Sequence, residues 1–350
     1  MEQALGDAAW TGRVAVAIPD ATRPLDVRPA LEALRARIDG EMVVVVGLGL
    51  HRPMTPAERA PLAPWRPLES DPDDVVPTAV VDGIPGQVTR ALAGADHILS
   101  VGISELHQYA GVSGGHKGVA VGCGGRATIA ALHARDRVLH PGVRLGALAG
   151  NPFRSAVDRL GAAAGCEAAL SWVPGAGRWL FGEPGAVVRA ARARLDPWAP
   201  VAGAAAGAVL WVPPAKAGSL YQASRAATYL ALSPHPPVRE GGTLVLVADC
   251  PEGLGAEAGW RAALASGAPP WAHLLTGPEP RGAGAQRAVV LAQVAARFSV
   301  VVAGAADPAA LQAVGIETWP RARAEALRGD PDWLQVAAPF HRIPQRAAAP

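Results

Sequence analysis

At 350 residues, half of them hydrophobic, the chain is long for a single core and fits about two domains. A formal charge of +2, with no Lys/Arg block interleaved with aromatics, excludes the electrostatic footprint of a nucleic-acid binder. Glycine and proline make up about a fifth of the residues, below the ~25–30% that marks low-complexity disorder, so the chain is expected to fold throughout.

In chain order, Val14 to Ile18 and Met42 to Val46 read as buried strands bracketing a helix pattern from Pro29 to Ile38. Gly47-Leu-Gly-Leu after the second strand hints at dinucleotide binding, but the third glycine of that fingerprint is missing. Gln87 to Leu92 reads as a helix and Ile98 to Val101 as a strand. Thr128 then opens a short helix carrying His133 on its first turns. Arg189 to Leu195 is a basic helical end, and the Pro/Ala/Gly-rich stretch 196–207 is the best linker. Beyond it, Val209 to Val212, Thr243 to Val247 and Val300 to Val302 read as strands, with helices at Leu220 to Leu232 and Arg287 to Arg297. The expectation is α/β throughout: an N-terminal domain over 1–205 and a C-terminal one over 206–350, with an active-site cleft between them.

Cys123, Cys166 and Cys250 are three, odd in number and far apart, and imply neither a disulfide framework nor a zinc knuckle. The start, Met-Glu-Gln-Ala-Leu-Gly-Asp, lacks a secretory signal's basic and apolar regions, and no apolar run reaches the ~18 residues of a membrane span. A cytoplasmic protein with no membrane or nucleic-acid partner is the expectation.

The densest chemistry lies in His107-Gln-Tyr-Ala-Gly-Val-Ser-Gly-Gly-His-Lys117, in a chain with only nine histidines. His107 falls just past the strand at Ile98, where open α/β sheets bind ligands. Gly111, Gly114 and Gly115 allow positive φ and bring bare N–H groups close to an anion, and Gly122-Cys-Gly-Gly125 could do the same. Lys117 could be a phosphate counter-charge or, with its pKa lowered, a nucleophilic amine.

His107, Ser113-Gly-Gly-His-Lys117 and His133 together resemble the core signature of the nickel-dependent lactate racemase family. Ten residues separate His107 from Lys117 and sixteen separate Lys117 from His133, in agreement with that signature. Asp20-Ala-Thr-Arg-Pro24, Gly49-Leu-His-Arg-Pro53 and Leu220-Tyr-Gln-Ala-Ser-Arg225 match further patterns in the family's order. The resemblance implies a racemase or epimerase of a small 2-hydroxy acid that uses a nickel-pincer nucleotide, a pyridinium mononucleotide holding nickel through two sulfurs and a ring carbon. Hydride leaves C2 while a base takes the hydroxyl proton, which avoids a carbanion beside a carboxylate, and the cofactor accepts what no side chain can.

The resemblance makes His133 the fourth, protein ligand of a square-planar nickel. His51 and His107 become the proton acceptors for the two enantiomers. Lys117 corresponds to the lysine that can be joined to the cofactor's thio-acyl group, with Asp20, Ser113, Gly114 and Gly115 beside it as cofactor-binding residues. Arg23 would grip the substrate carboxylate in a two-pronged fashion, and Gln222 and Arg225 would close over the substrate from the second domain. Three departures stand out. Arg225 replaces a lysine, His116 replaces the arginine of Ser-Gly-Gly-Arg-Lys, and Val121 replaces a proline. The first points to a 2-hydroxy acid other than lactate, larger or more acidic.

Two other classes fit parts of the chain. Gly111-Val-Ser113-Gly-Gly115 matches the nucleophile elbow of a serine hydrolase, although a His-Gly-Gly-Gly oxyanion loop is missing and Lys117 would have no role. A non-catalytic relative that binds the nickel cofactor or a hydroxy acid is the other.

Overall fold

A computed structural model describes residues 1–346, and the chain forms two compact units. One is built from residues 1–133 and 146–196; the other takes 134–145 and the chain from 197 onward.

In chain order the first unit contains β1 (Trp10–Pro19), α1 (Arg28–Arg35), β2 (Ile38–Gly47), β3 (Leu68–Glu69), β4 (Val75–Val81), β5 (Ile84–Thr89), β6 (His97–Ile103), β7 (Leu106–His107) and β8 (Gly111–Val112). It continues with α2 (Arg126–Leu132), α3 (Pro152–Ala163), β9 (Cys166–Val173), β10 (Arg178–Gly182) and α4 (Pro184–Arg192). Its main sheet runs β10-β9-β6-β1-β2-β3, parallel except for β10. A parallel sheet is covered on both faces, so its strands are continuous apolar runs. In β1, Val14, Val16 and Ile18 pack on one face with Leu31 and Leu34 of α1, while Ala15 and Ala17 face Val119 and Cys123 on the other.

Two expectations change here. The first helix ends at Arg35, because Ile38 already pairs with Trp10 as the start of β2. Gln87 to Leu92 is not a helix: Gln87 and Val88 pair with Pro77 and Val76 in the β4–β5 hairpin, and only Arg90–Leu92 makes a 3₁₀ turn.

The second unit contains β11 (Trp198–Val201), β12 (Ala205–Trp211), α5 (Leu220–Ala231), β13 (Val238–Val247), α6 (Ala258–Ala265), α7 (Ala285–Ala295), β14 (Ser299–Ala303), β15 (Glu317–Trp319), β16 (Trp333–Val336) and β17 (Ile343–Arg346). A parallel five-stranded sheet runs β15-β14-β13-β12-β16. The stretch expected to be a linker is ordered instead. Trp198 to Val201 pairs with Ile343 to Arg346, and Ala205 already belongs to β12, so pairings made far along the chain override its local composition. Among the described residues no helix is long and apolar enough to cross a membrane.

Candidate active site

The chain leaves three neighbouring strands of the first unit at their carboxyl ends with chemistry in hand. Asp20 follows β1, His51 lies four residues beyond β2, and His107 closes β7 just after β6. β1 lies between β2 and β6, so this is where the order switches from building one side of the sheet to building the other, the place where open α/β sheets bind ligands.

Asp20 and His51 form a pair. The Nδ1–H of His51 donates to Oδ2 of Asp20 at 2.6 Å, and Thr22 Oγ1 donates to Oδ1 at 2.6 Å. Burial pushes the Asp20 carboxyl up, but the hydrogen bond and charge of His51, with Thr22 and Arg23, outweigh it and hold the group below the usual carboxylate range. With its Nδ1 proton committed, His51 carries its lone pair on Nε2 and is oriented as a base. Each oxygen of Asp20 thereby accepts one hydrogen bond, which gives it a role toward His51 beside the cofactor contact expected from sequence. Arg23 is half-buried, its N–H closing a turn onto the Asp20 carbonyl at 3.2 Å.

The loop after β8 is shaped by glycine. Gly111, Gly114 and Gly115 have φ of +72°, +88° and +60°. A Cβ on Gly114 would meet the Ser104 and Ser171 hydroxyls at 2.6 and 3.0 Å, and one on Gly115 would meet the Pro184 carbonyl at 2.7 Å. These residues are glycine because protein lies behind them, and what they offer in front is backbone. The N–H groups of Gly114, Gly115 and His116 have no acceptor among the described residues, although Gly115 and His116 are buried. Three successive amides of this kind form a nest suited to a phosphate. Lys117 follows directly, at the start of a π-helical turn over Gly118–Gly122.

That turn is tied to the His51 loop, since Gly49 N–H donates to the Gly122 carbonyl at 2.7 Å. A Cβ on Gly47 would meet the Gly122 backbone at 2.9 Å, so the glycines after β2 serve the approach of two loops and not a dinucleotide. The second glycine cluster likewise packs. A Cβ on Gly124 would meet the Ala120 carbonyl at 2.3 Å and one on Gly125 would meet Gln87, and none of these glycines has positive φ.

Ser113 is not placed as a nucleophile. Its hydroxyl donates to the Ile103 carbonyl at 2.7 Å and accepts the Glu105 N–H at 3.0 Å, pinning the loop to the end of β6. With its proton given to a backbone carbonyl, the hydroxyl is not set to attack, and the hydrolase reading loses its attacking group.

His133 lies at the C-cap of α2, not in its first turns. Its Nδ1–H donates to the Ile129 carbonyl at 2.8 Å, which leaves the lone pair on Nε2, the tautomer and backbone bond typical of a metal-ligating imidazole. Among the described residues no group of three or more His, Cys, Asp and Glu could hold a metal, so an ion bound here needs its remaining donors from a bound group. A single oriented imidazole, an amine and an amide nest fit a nucleotide that brings its own metal donors.

Tyr109, which sequence reading passed over, joins the histidines. Its ring lies edge-on to His107 and His133 at centroid distances of 5.8 and 5.4 Å, and Phe153 backs both Tyr109 and His133 at 5.6 and 5.1 Å. Asn151, also missed, caps α3 and donates its amide to the Tyr109 carbonyl at 2.8 Å.

His116 stands where the family pattern has arginine, and its surroundings account for it. It is buried, with Nδ1 bonded to Asp158 Oδ1 at 3.0 Å, while Arg154, 3% exposed, bridges the same carboxylate with two nitrogens. The cationic partner of this carboxylate thus comes from α3. Burial pushes the Asp158 carboxyl up, but bonds from His116 and Arg154 pull it below its ordinary 3.8. A lowered value means stabilisation that is present above pH ~3.8 and lost as pH falls through the folded value. Asp158→Ala strands a buried guanidinium and is expected to cost about 3–5 kcal/mol in denaturant unfolding at neutral pH. A change below about 1 kcal/mol would show that the network does not hold the loop.

In the second unit, α5 follows β12 at the sheet's carboxyl end. It is buried along its length except at Gln222 and Arg225, which share one face and a 3.3 Å bond from Arg225 Nη1 to Gln222 Oε1. Tyr221 beside them carries the guanidinium of Arg287, 7% exposed, 4.3 Å over its ring. Nothing in the sequence marked Arg287.

Residues 7–146 match the lactate racemase N-terminal domain. The structure of the lactate racemase apoprotein from Thermoanaerobacterium thermosaccharolyticum superposes with a TM-score of 0.82 at 17% identity, covering 96% of this chain and 87% of that one. A Thermotoga maritima protein solved by structural genomics gives a TM-score of 0.70 at 15% identity, with 99% and 95% coverage. No curated protein matches the chain. Residues 7–146 thus match the lactate racemase N-terminal domain, and the chain as a whole shares its fold with the lactate racemase apoprotein.

Proposed function

We propose that this protein is an isomerase that interconverts the stereoisomers of a 2-hydroxy acid with a nickel-pincer nucleotide. The family match supports the racemase and epimerase class. The observation that carries the reading is the Asp20–His51 pair, a base set by a buried carboxylate at the switch point of the sheet. When bound, the nucleotide supplies the hydride acceptor and donor that side chains lack.

The chain's own part is to bind, orient and move a proton. His133 Nε2 is the nitrogen offered to nickel, Lys117 the amine offered to the cofactor's acyl group, and the amides of Gly114, Gly115 and His116 the seat for its phosphate. Arg23 takes the substrate carboxylate in a two-pronged grip, and His51 Nε2 receives the hydroxyl proton. His107 is the second imidazole of the site. Gln222 and Arg225 read the substrate, and Arg225, a planar fork where the family has a point charge, turns preference toward an acid other than lactate. Three unpaired, buried cysteines suit a cytoplasmic setting.

The test is purification from a host that makes the cofactor, with metal analysis and a chiral assay over a panel of 2-hydroxy acids. Nickel together with interconversion of at least one acid is the expected result; nickel without interconversion of any would leave a binding protein. In the same panel Arg225→Lys is expected to change the ratio of kcat/KM between acids of different size or charge by about tenfold, equivalent to about 1.4 kcal/mol. An unchanged profile would remove Arg225 from substrate selection.

A further inference from the structure

The chain carries thirty-two lysines and arginines, and of these only Lys117 and Lys216 are lysine. Surface ion pairs such as Arg52–Glu58, Arg126–Asp73 and Arg297–Glu240 are made with arginine. The two side chains are not equivalent: an ammonium is a compact point charge that can close on a single oxygen, a guanidinium a planar fork. Lys117 stands where the proposed chemistry needs an amine. In a chain that meets its ordinary need for positive charge with arginine, Lys216 marks a second such place.

Lys216 lies in the connection from β12 to α5, four residues before the helix that carries Gln222 and Arg225. At β12 the second sheet changes its direction of growth. β13, β14 and β15 extend outward on one side of it, while β16 joins on the other. The region past the carboxyl end of such a strand is where open parallel sheets bind ligands. The connection is braced. Pro213 and Pro214 fix two φ angles, the Lys216 N–H closes a 3₁₀ turn onto the Pro213 carbonyl at 2.8 Å, and the carbonyls of Ala217 and Gly218 each take an N–H, from Cys250 and Glu252, at 2.9 Å. Lys216 is half-buried, so its stem packs on this loop and the ammonium is carried at its edge.

The start of α5 is not itself an anion site. Its first three amides, of Leu220, Tyr221 and Gln222, donate to the carbonyls of Gly253, Leu254 and Ser219 at 2.9, 3.1 and 3.1 Å. Positive charge for a ligand at this end of the sheet therefore comes from side chains, Lys216 on the loop and Arg225 on the helix.

Building on the racemase reading, we infer that the Lys216 amine is an anion-binding group of the second unit, which holds one carboxylate oxygen of the substrate or one phosphate oxygen of the nucleotide. Either anion has lone pairs for one more donor than its other partners use. The amine binds and orients; it moves no proton. A charge-assisted bond of this kind is worth about 10–100-fold in affinity.

The test compares Lys216→Ala and Lys216→Arg with wild type as full chains from the cofactor-producing host. If the anion is the substrate carboxylate, both variants raise KM by about 10–100-fold while nickel per chain stays the same. If it is the phosphate, both lose most of their nickel. Calorimetry on the metal-free full chain separates the sources again, with oxalate as the carboxylate probe and nicotinamide mononucleotide as the phosphate probe: one of the two is expected to bind Lys216→Ala at least about tenfold more weakly than wild type. A merely structural lysine would lower the denaturant midpoint of Lys216→Ala and leave KM, nickel and both probes within about twofold, which overturns the inference. Full rescue by Lys216→Arg overturns it too, since any cation would then serve, as does a wild-type chain that binds neither probe. A wild-type enzyme that interconverts no 2-hydroxy acid sinks the functional reading instead and leaves the probe measurements standing, so the two failures are distinct.

Discussion

Asp20→Asn is expected to lower kcat by about 10²–10⁴-fold while the protein stays folded and its nickel content is unchanged. Asp20 is 8% exposed and bonded to His51 Nδ1 at 2.6 Å, so its loss acts on the ring and not on the substrate. An asparagine amide can turn its N–H₂ toward Nδ1 and hold the ring in the other tautomer, with the proton on Nε2 where a lone pair is needed. A purely structural role for Asp20 would lower the unfolding midpoint and leave turnover per folded, nickel-loaded molecule intact. Measuring kcat per nickel beside the denaturant midpoint separates the two, and unchanged turnover per nickel would remove His51 as the oriented base.

His133→Ala is expected to retain less than about a tenth of the wild-type nickel, since the ion loses its one protein donor. The imidazole also packs edge-on against Phe153 and Tyr109, so some stability is lost with it. Losing the hydrogen-bond partner that orients a ligand costs about 10–100-fold in metal affinity, and removing the ligand itself should cost at least as much. His51→Ala is the matched control, expected to keep nickel and lose turnover.

Much of the fold could be read from local pattern. The buried strands Val14 to Ile18 and Met42 to Val46 are continuous apolar runs, and a parallel sheet covered on both faces produces such runs. What pattern could not supply are pairings across long separations. Gln87 and Val88 have residues a helix could use, but their partners in β4 make them strand, and Trp198 to Val201 becomes a strand through partners near residue 345.

The site divides in the same way. His51, His107, Lys117 and His133 could be picked out because chemistry-bearing residues at family spacings are visible in one dimension. The tautomers of the three histidines could not, because each is set by a partner whose pairing is not written in one dimension: Asp20 for His51, two backbone amides for His107, the Ile129 carbonyl for His133. Asn151 escaped notice for the same reason, since it acts on a carbonyl forty-two residues away. His116 was visible only as a departure, and its meaning came from Asp158 and Arg154 on a helix that the pattern did not connect to it.

On the proposed function, imidazole 133 is the protein's ligand to a nickel whose other donors come with a nucleotide. Nickel K-edge X-ray absorption of the loaded, purified protein tests it most directly. The expected spectrum is that of a four-coordinate ion with sulfur donors and one imidazole, the imidazole scattering vanishing with most of the metal in His133→Ala. Undiminished nickel in that variant, with the same imidazole signal, would contradict it.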